Sequence, residues 1–415
     1  MRKLVIHHIG PVKHVDLVLK RINVVIGPQS AGKSCILKVA CFCAWAEKRI
    51  QLEQGKNGFA DFEYVRENLL AFHKLKGFLH EDSRIEYRSD YMAFVIDFAN
   101  ETFDLRWGNA KKRFDYKRPR VSYIPAERNL VSSIPNWFDV KMDSTNLKSF
   151  IADWAYAHKL CGDDAVLPIL NLGVRFFYDK QTDKDYILLN DKKRMDLTDA
   201  SSGLQSVIPM WVYLDYLFRK QYYPQEMSSS RTETENEEIA QHIYDCKYKK
   251  AAKKAGEEGK VVFGKVGVTK RMFASDADFD EFKQLVWAYT QTSHSDIYLE
   301  EPGAEICFPL TQVELVYALL KNAALHEDHL FIATHSPYVL YALNNCMLGY
   351  KVKDKIPSEI SELKANEDSW IDPKEVSVWE IKDGEFSSQV DEKNLTLQDT
   401  DGLIRGNYTP VRDKK

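Results

Sequence analysis

The run Ile22-Asn23-Val24-Val25-Ile26-Gly27-Pro28-Gln29-Ser30-Ala31-Gly32-Lys33-Ser34 decides how the rest of the chain is read. Its first five residues are largely β-branched, as in a strand buried on both faces. The following stretch, Cys35 to Arg49, has helical composition. Gly27-x-x-x-x-Gly32-Lys33-Ser34 therefore lies between a strand and a helix, the context a phosphate-binding loop requires. Glycines let backbone N–H groups curve around a phosphate, and the helix N-terminus favours anions. Lys33 can reach the β/γ-phosphates, and the Ser34 hydroxyl can ligate Mg²⁺. Chance matches to the four fixed positions occur in roughly one or two chains per hundred of this length, before the flanking strand and helix are demanded. The expected nucleotide contacts are Gly27, Pro28, Gln29, Ser30, Ala31, Gly32, Lys33, Ser34 and Cys35.

Other segments extend the pattern. Ile297-Tyr298-Leu299-Glu300-Glu301-Pro302 reads as an apolar strand ending in two acids, one able to enter a magnesium shell and one able to face an attacking water. Leu330 to Ala333 is a second such strand, followed by Thr334-His335-Ser336-Pro337, whose histidine could reach a γ-phosphate. Taken singly, these are also an ordinary acidic strand end and a capped turn. Three strand ends carrying phosphate chemistry in one chain point to a nucleotide site. Ala200 to Ser206, a serine-glycine turn, precedes the apolar helix Val207 to Leu217.

On these residues the sequence resembles the ABC-type ATPase superfamily, and within it the OLD-like (overcoming lysogenisation defect), SMC-related branch of bacterial defence ATPases. The resemblance rests on Gly27 to Ser34, on Ser202-Gly203-Leu204-Gln205 as the signature, on Glu300-Glu301-Pro302 and on His335. The double glutamate is more diagnostic than the loop. Tyr123-Ile124-Pro125-Ala126-Glu127-Arg128 also looks like a strand-end motif of this branch, with no catalytic role assigned. Two departures stand out: Leu204 replaces the usual second glycine of the signature, and Gly303 to Pro309 differs from the usual loop after the two glutamates.

The resemblance implies an α/β fold: an ABC-type ATPase head of the P-loop NTPase kind, with a mixed central sheet, an antiparallel β subdomain and a helical insertion. It implies a head-to-tail dimer or higher oligomer, with ATP held between the loop of one copy and Ser202, Gly203 and Gln205 of another. Glu301 would polarise water, His335 and Lys33 would act on the γ-phosphate, and Ser34 with Glu300 would hold Mg²⁺. Full-length OLD nucleases carry a C-terminal Toprim domain. Only about eighty residues follow His335, so the expectation is a stand-alone subunit of the Septu-like, retron-associated or PARIS-like kind. Such a subunit would sense infection or scaffold and regulate a separately encoded nuclease or toxin, with DNA or a phage protein as candidate trigger. A nucleotide-locked scaffold without turnover and a DNA-clamping SMC-like repair ATPase stay open as alternatives.

Composition agrees with a globular chain. Its 415 residues have a formal charge of -4, 44% hydrophobic and 28% charged content, which excludes a wholly basic nucleic-acid binder and disorder. The apolar stretch Cys35 to Ala46 is too short to span a bilayer and is broken by Lys38. Seven cysteines without a CxxC pair read as reduced, buried thiols of a cytoplasmic protein.

The expected layout is a head over 1–350, holding a β-rich subdomain at 55–120 and a charged insertion at 219–278, followed by C-terminal hairpins and a tail over 351–415. Lys111 to Arg120 interleaves cations and aromatics. It reads either as a hairpin edge protected by charge or as a nucleic-acid contact. Lysines 247 to 254 suit a solvated helix face. Asp399-Thr400-Asp401-Gly402 reads as a polar turn rather than a metal pair.

Overall fold

The computed structural model describes residues 1–397 except 111, 135, 138–140, 163–164, 190–192, 223–229, 307, 356–365 and 392–395. Lys111, Cys307 and the turn at Asp399 to Gly402 lie outside the described residues.

Alternation of burial along the first strands sets the arrangement. Strands β1 (Arg2–Ile9) and β2 (Val12–Leu19) form an antiparallel hairpin, and β3 (Ile22–Ile26) follows with every residue buried. Helix α1 (Lys33–Glu53) leaves the loop after β3. The single turn α2 (Phe62–Val65) comes next, and then β4 (Leu79–Arg88), β5 (Met92–Asp97), β6 (Thr102–Trp107) and β7 (Pro119–Ile124).

The antiparallel sheet has the order β2-β1-β4-β5-β6, so the N-terminal hairpin belongs to the β-rich layer expected at 55–120. Residues 57–71 are helical turns, and β7 joins the other sheet.

The short helix α3 (Leu130–Ser133) and α4 (Asn146–Ala157) precede a small antiparallel sheet of β8 (Leu167–Pro168), β9 (Arg175–Asp179), β10 (Lys184–Leu188) and β11 (Arg194–Asp196). Helix α5 (Ser202–Phe218) follows. The charged insertion contains α6 (Ser230–Ile243) and α7 (Lys249–Glu257), the expected helical pair, and also the hairpin β12 (Val262–Val266) and β13 (Thr269–Phe273). Helix α8 (Asp276–Thr290) leads back to β14 (His294–Glu300), α9 (Pro309–Ala323), β15 (His329–Thr334) and α10 (Pro337–Val352).

Strands β16 (Val376–Lys382) and β17 (Glu385–Ser388) form a hairpin whose turn puts Asp383 and Gly384 at φ 55° and 81°. This C-terminal hairpin completes the central sheet, because β16 pairs in parallel with β3.

The central sheet runs β17-β16-β3-β15-β14-β7, all neighbours parallel except the edge strand β17. Its two faces divide by the period of two. Ile297, Leu299, Leu330 and Ile332 pack with α4, α5, α9 and α10, around the fully buried Trp154. Tyr298, Phe331, Ala333 and Trp379 face α1, which is itself covered by the antiparallel sheet. The apolar Cys35 to Ala46 run is thus a helix enclosed between two sheets. No helix among the described residues is long and apolar enough to cross a membrane. Cys35, Cys41, Cys43, Cys161 and Cys346 are free and buried, whereas Cys246 is exposed on the insertion, against the expectation of buried thiols throughout.

Candidate functional site

Parallel pairing places the C-terminal ends of β3, β15 and β14 side by side, where ligands of open α/β sheets bind. The loop Gly27 to Gly32 leaves β3 and enters α1 with Ser30 at φ 62° and Gly32 at φ 106°. Gly27 has another constraint: a Cβ there would lie 2.4 Å from the Ile381 carbonyl oxygen. Helix α1 begins with no side-chain cap and no acidic residue in its first turn, so its N–H groups face the loop uncompensated.

Lys33 is almost fully buried, and its ammonium donates to the carbonyls of Gly27 and Pro28, both at 2.9 Å. Ser34 is half-buried on the first turn, and Pro28, Gln29 and Ser30 are exposed. Burial pushes the Cys35 thiol up to about 11, with Lys38 pulling the other way, so it stays a neutral packing group.

Glu300 ends β14 buried, its Oε2 accepting from the Tyr123 hydroxyl at 2.9 Å and from the Ala126 N–H at 3.4 Å. Glu301 turns out of the strand at φ 44°, its own N–H donating to the Ala333 carbonyl. Its Oε2 accepts the His335 backbone N–H and lies 2.8 Å from His335 Nδ1, while Oε1 is 3.6 Å from Lys33 Nζ. Lys33, Glu301 and His335, from three separate strand ends, form one charged cluster.

Arg128 was not assigned a role in the sequence. It is fully buried and donates to the carbonyls of Pro125, Glu300, Glu301 and Ser206. It fastens the end of β14 to the first turns of α5, and burial pulls its guanidinium down to about 10. The strand-end motif 123–128 was the only signal for it.

The signature residues group elsewhere. Ser202 and Gly203 open α5 next to the loop after β14, where a Cβ on Gly203 would lie 3.1 Å from the Glu305 carbonyl oxygen. Gln205 donates to the Thr198 carbonyl and accepts from the Ser133 hydroxyl. These contacts place Gly203 beside residue 305 and tie Gln205 to Ser133 and Thr198 rather than to Lys33.

The basic segment 112–120 is largely consumed internally. Arg113 lies over the Trp107 ring and donates to Gln54, Arg118 pairs with Glu235, and Arg120 pairs with Asp153. Tyr116 is buried, leaving Lys112 and Lys117 as the exposed cations.

The residues at the strand ends fit the phosphates of a nucleotide. The uncapped helix N-terminus and the close-approach glycines fit phosphate, and the hard oxygen donors of Ser34 and Glu300 fit Mg²⁺. No protein-family model matches the chain, and no curated protein matches it.

Solved structures similar to it include the SMC head domain from Thermotoga maritima, at 9% identity over 93% of this chain and 97% of that one, with a TM-score of 0.37. An SMC head bound to the C-terminal winged-helix domain of ScpA is similar at 10% identity, over 95% and 98%, with a TM-score of 0.38. The recombination mediator RecF with ATPγS, of the RecFOR pathway, is similar at 11% identity, over 93% and 97%, with a TM-score of 0.29. At these identities and scores the α/β fold rests on the strand order and the loop described above.

Proposed function

We propose that the chain binds and hydrolyses Mg²⁺-ATP as an ABC-type ATPase. The observation that supports this reading most directly is the Glu301 carboxylate held between Lys33 and His335 beside the Gly27 to Ser34 loop. In this reading the loop amides and Lys33 hold the phosphates. Ser34 and Glu300 hold Mg²⁺, which supplies neutralisation of phosphate charge. Glu301 takes the proton of the attacking water, and His335 steadies the Glu301 carboxylate and meets the γ-phosphate.

Ser202, Gly203 and Gln205 would complete the site of a second copy, since the contacts of Gly203 and Gln205 lie away from Lys33. The finer role we infer is control of a separately encoded nuclease or toxin in antiphage defence by a dimer or higher oligomer. The nucleotide site supports the ATP-dependent part of this reading. The internal pairing of Arg113, Arg118 and Arg120 disfavours a DNA clamp built on that segment.

Phosphate release by the purified chain, with Lys33→Ala as the comparison, tests the activity. Turnover unchanged by Lys33→Ala would remove it. Phage plating on cells carrying the native gene cluster with and without this gene tests the defence role, and equal plating would remove that role alone.

A further inference from the structure

The N-terminal ends of β14 and β15 carry a second cluster, at the opposite end of the sheet from Glu301. His294 and Asp296 are two residues apart on β14 and so share a face, and Asp296 pairs in register with His329 on β15, which puts that side chain on the same face. Among the described residues these three are the only group of His, Cys, Asp or Glu able to hold a metal ion, with donor atoms within 4.8 Å of one another. They line a cavity of about 660 Å³.

Position assigns the donor atoms. The Ser293 hydroxyl lies 3.1 Å from the Arg118 carbonyl, which also accepts the Ser293 N–H. His294 Nδ1 lies 2.7 Å from that hydroxyl, and in the tautomer protonated at Nδ1 the Nε2 lone pair is turned to the cluster. Nε2 is buried without a hydrogen-bond partner and faces Asp296 Oδ1 at 3.5 Å. In that tautomer two acceptors face each other, an arrangement that a cation between them relieves.

His329 Nδ1 approaches the same Oδ1 at 2.6 Å from the other side. The second Asp296 oxygen is taken by the Arg2 guanidinium at 2.8 Å, and Arg2 is also 3.5 Å from Glu47. Arg2 thereby orients the carboxylate and leaves Oδ1 to the two histidines. Ser293 behind His294 and Arg2 behind Asp296 are the outer partners that ligating side chains characteristically have.

We propose that His294 Nε2, Asp296 Oδ1 and His329 Nδ1 bind one divalent transition-metal ion of the Zn²⁺ class, with a further coordination position open to the cavity. Two imidazoles and one carboxylate are the donors such ions take, and the set is too nitrogen-rich for Mg²⁺ or Ca²⁺. On binding, the Nδ1 proton of His329 leaves to solvent and solvent supplies one at Nε2, so the ring stays neutral while the metal takes its lone pair. The site is independent of the nucleotide reading.

The test uses the full chain, stripped with chelator and kept free of nucleotide. Titration with Co²⁺ is followed by its visible d–d absorption, and the bound ion is then displaced with Zn²⁺. One Co²⁺ per chain is expected, with a few degrees' rise in melting temperature on adding Zn²⁺. His294→Gln and His329→Gln should each weaken uptake at least ~100-fold, and Ser34→Ala should leave it unchanged. Absence of both uptake and thermal shift in the wild-type chain overturns the proposal, whether or not the variants fold. Uptake undiminished in the folded double variant overturns it equally.

Discussion

Glu301 Oε2 accepts the backbone N–H of His335 at 3.2 Å and lies 2.8 Å from its imidazole Nδ1. The residue expected to activate water is therefore coupled directly to the one expected to meet the γ-phosphate. Glu301→Gln keeps the shape and the hydrogen-bonding capacity but removes the proton acceptor. Steady-state phosphate release should fall at least ~100-fold while ATP binding, measured by fluorescence of a labelled nucleotide, stays equal or tightens. A variant that releases phosphate at the wild-type rate would contradict the assignment.

Arg128 bridges β14, residue 125 and α5 through four carbonyls, and a lysine cannot span them with one compact ammonium. Arg128→Lys should cost on the order of 3 kcal/mol, because buried carbonyls lose their donors. The loss should appear as a lower denaturation midpoint. Below that midpoint turnover should still be reduced, since the Glu301 backbone is no longer held.

Gly27→Ala tests the close approach of β16 to the loop. A Cβ 2.4 Å from the Ile381 carbonyl cannot be accommodated without moving either β16 or the loop. The expected result is a large loss of nucleotide affinity together with a lower melting temperature. Ser30→Ala, at an exposed loop position, should lower the melting temperature far less.

His73 supplies the pH dependence. It is buried beside the Tyr123 ring, its Nδ1 has no partner, and burial pulls its pKa down to about 3 from an ordinary 6.5. The unfolded chain takes up this proton below about pH 6.5 and the folded chain does not until about pH 3. Stability is therefore lost as pH falls through that window. Between pH 7.5 and 4.5 the effect is on the order of 2 to 3 kcal/mol. His73→Phe should flatten the acid side of a melting-temperature profile by that amount and leave the profile above pH 7 parallel to wild type.

The strand, loop and helix from Ile22 to Arg49 were legible because each rests on local composition and spacing. The strands ending at Glu300 and Thr334 were legible for the same reason. What could not be read depends on partners far apart in the chain. Arg113, Arg118 and Arg120 looked like one basic patch, yet their partners Gln54, Glu235 and Asp153 lie 59, 117 and 33 residues away.

The strand-end motif pointed to Arg128, but its role stays hidden for the same reason, since its acceptors lie on three elements. His294, Asp296 and His329 become a group only through the parallel register of β14 and β15. The C-terminal hairpin gave no sign of its place beside β3, because strand order is a property of the assembled sheet.

Helix α1 has a second end. It starts at Lys33 in the phosphate loop, and its 21 residues make a rod of about 31 Å. At the far end Leu52 is packed with Ile239 and Phe273 of the insertion and with Phe282 of α8, and Gln51 accepts from the Tyr289 hydroxyl. Both sheets hold the rod along its sides. A displacement of the loop that moves α1 as a rigid rod therefore also moves Leu52 and Gln51 against the insertion and α8.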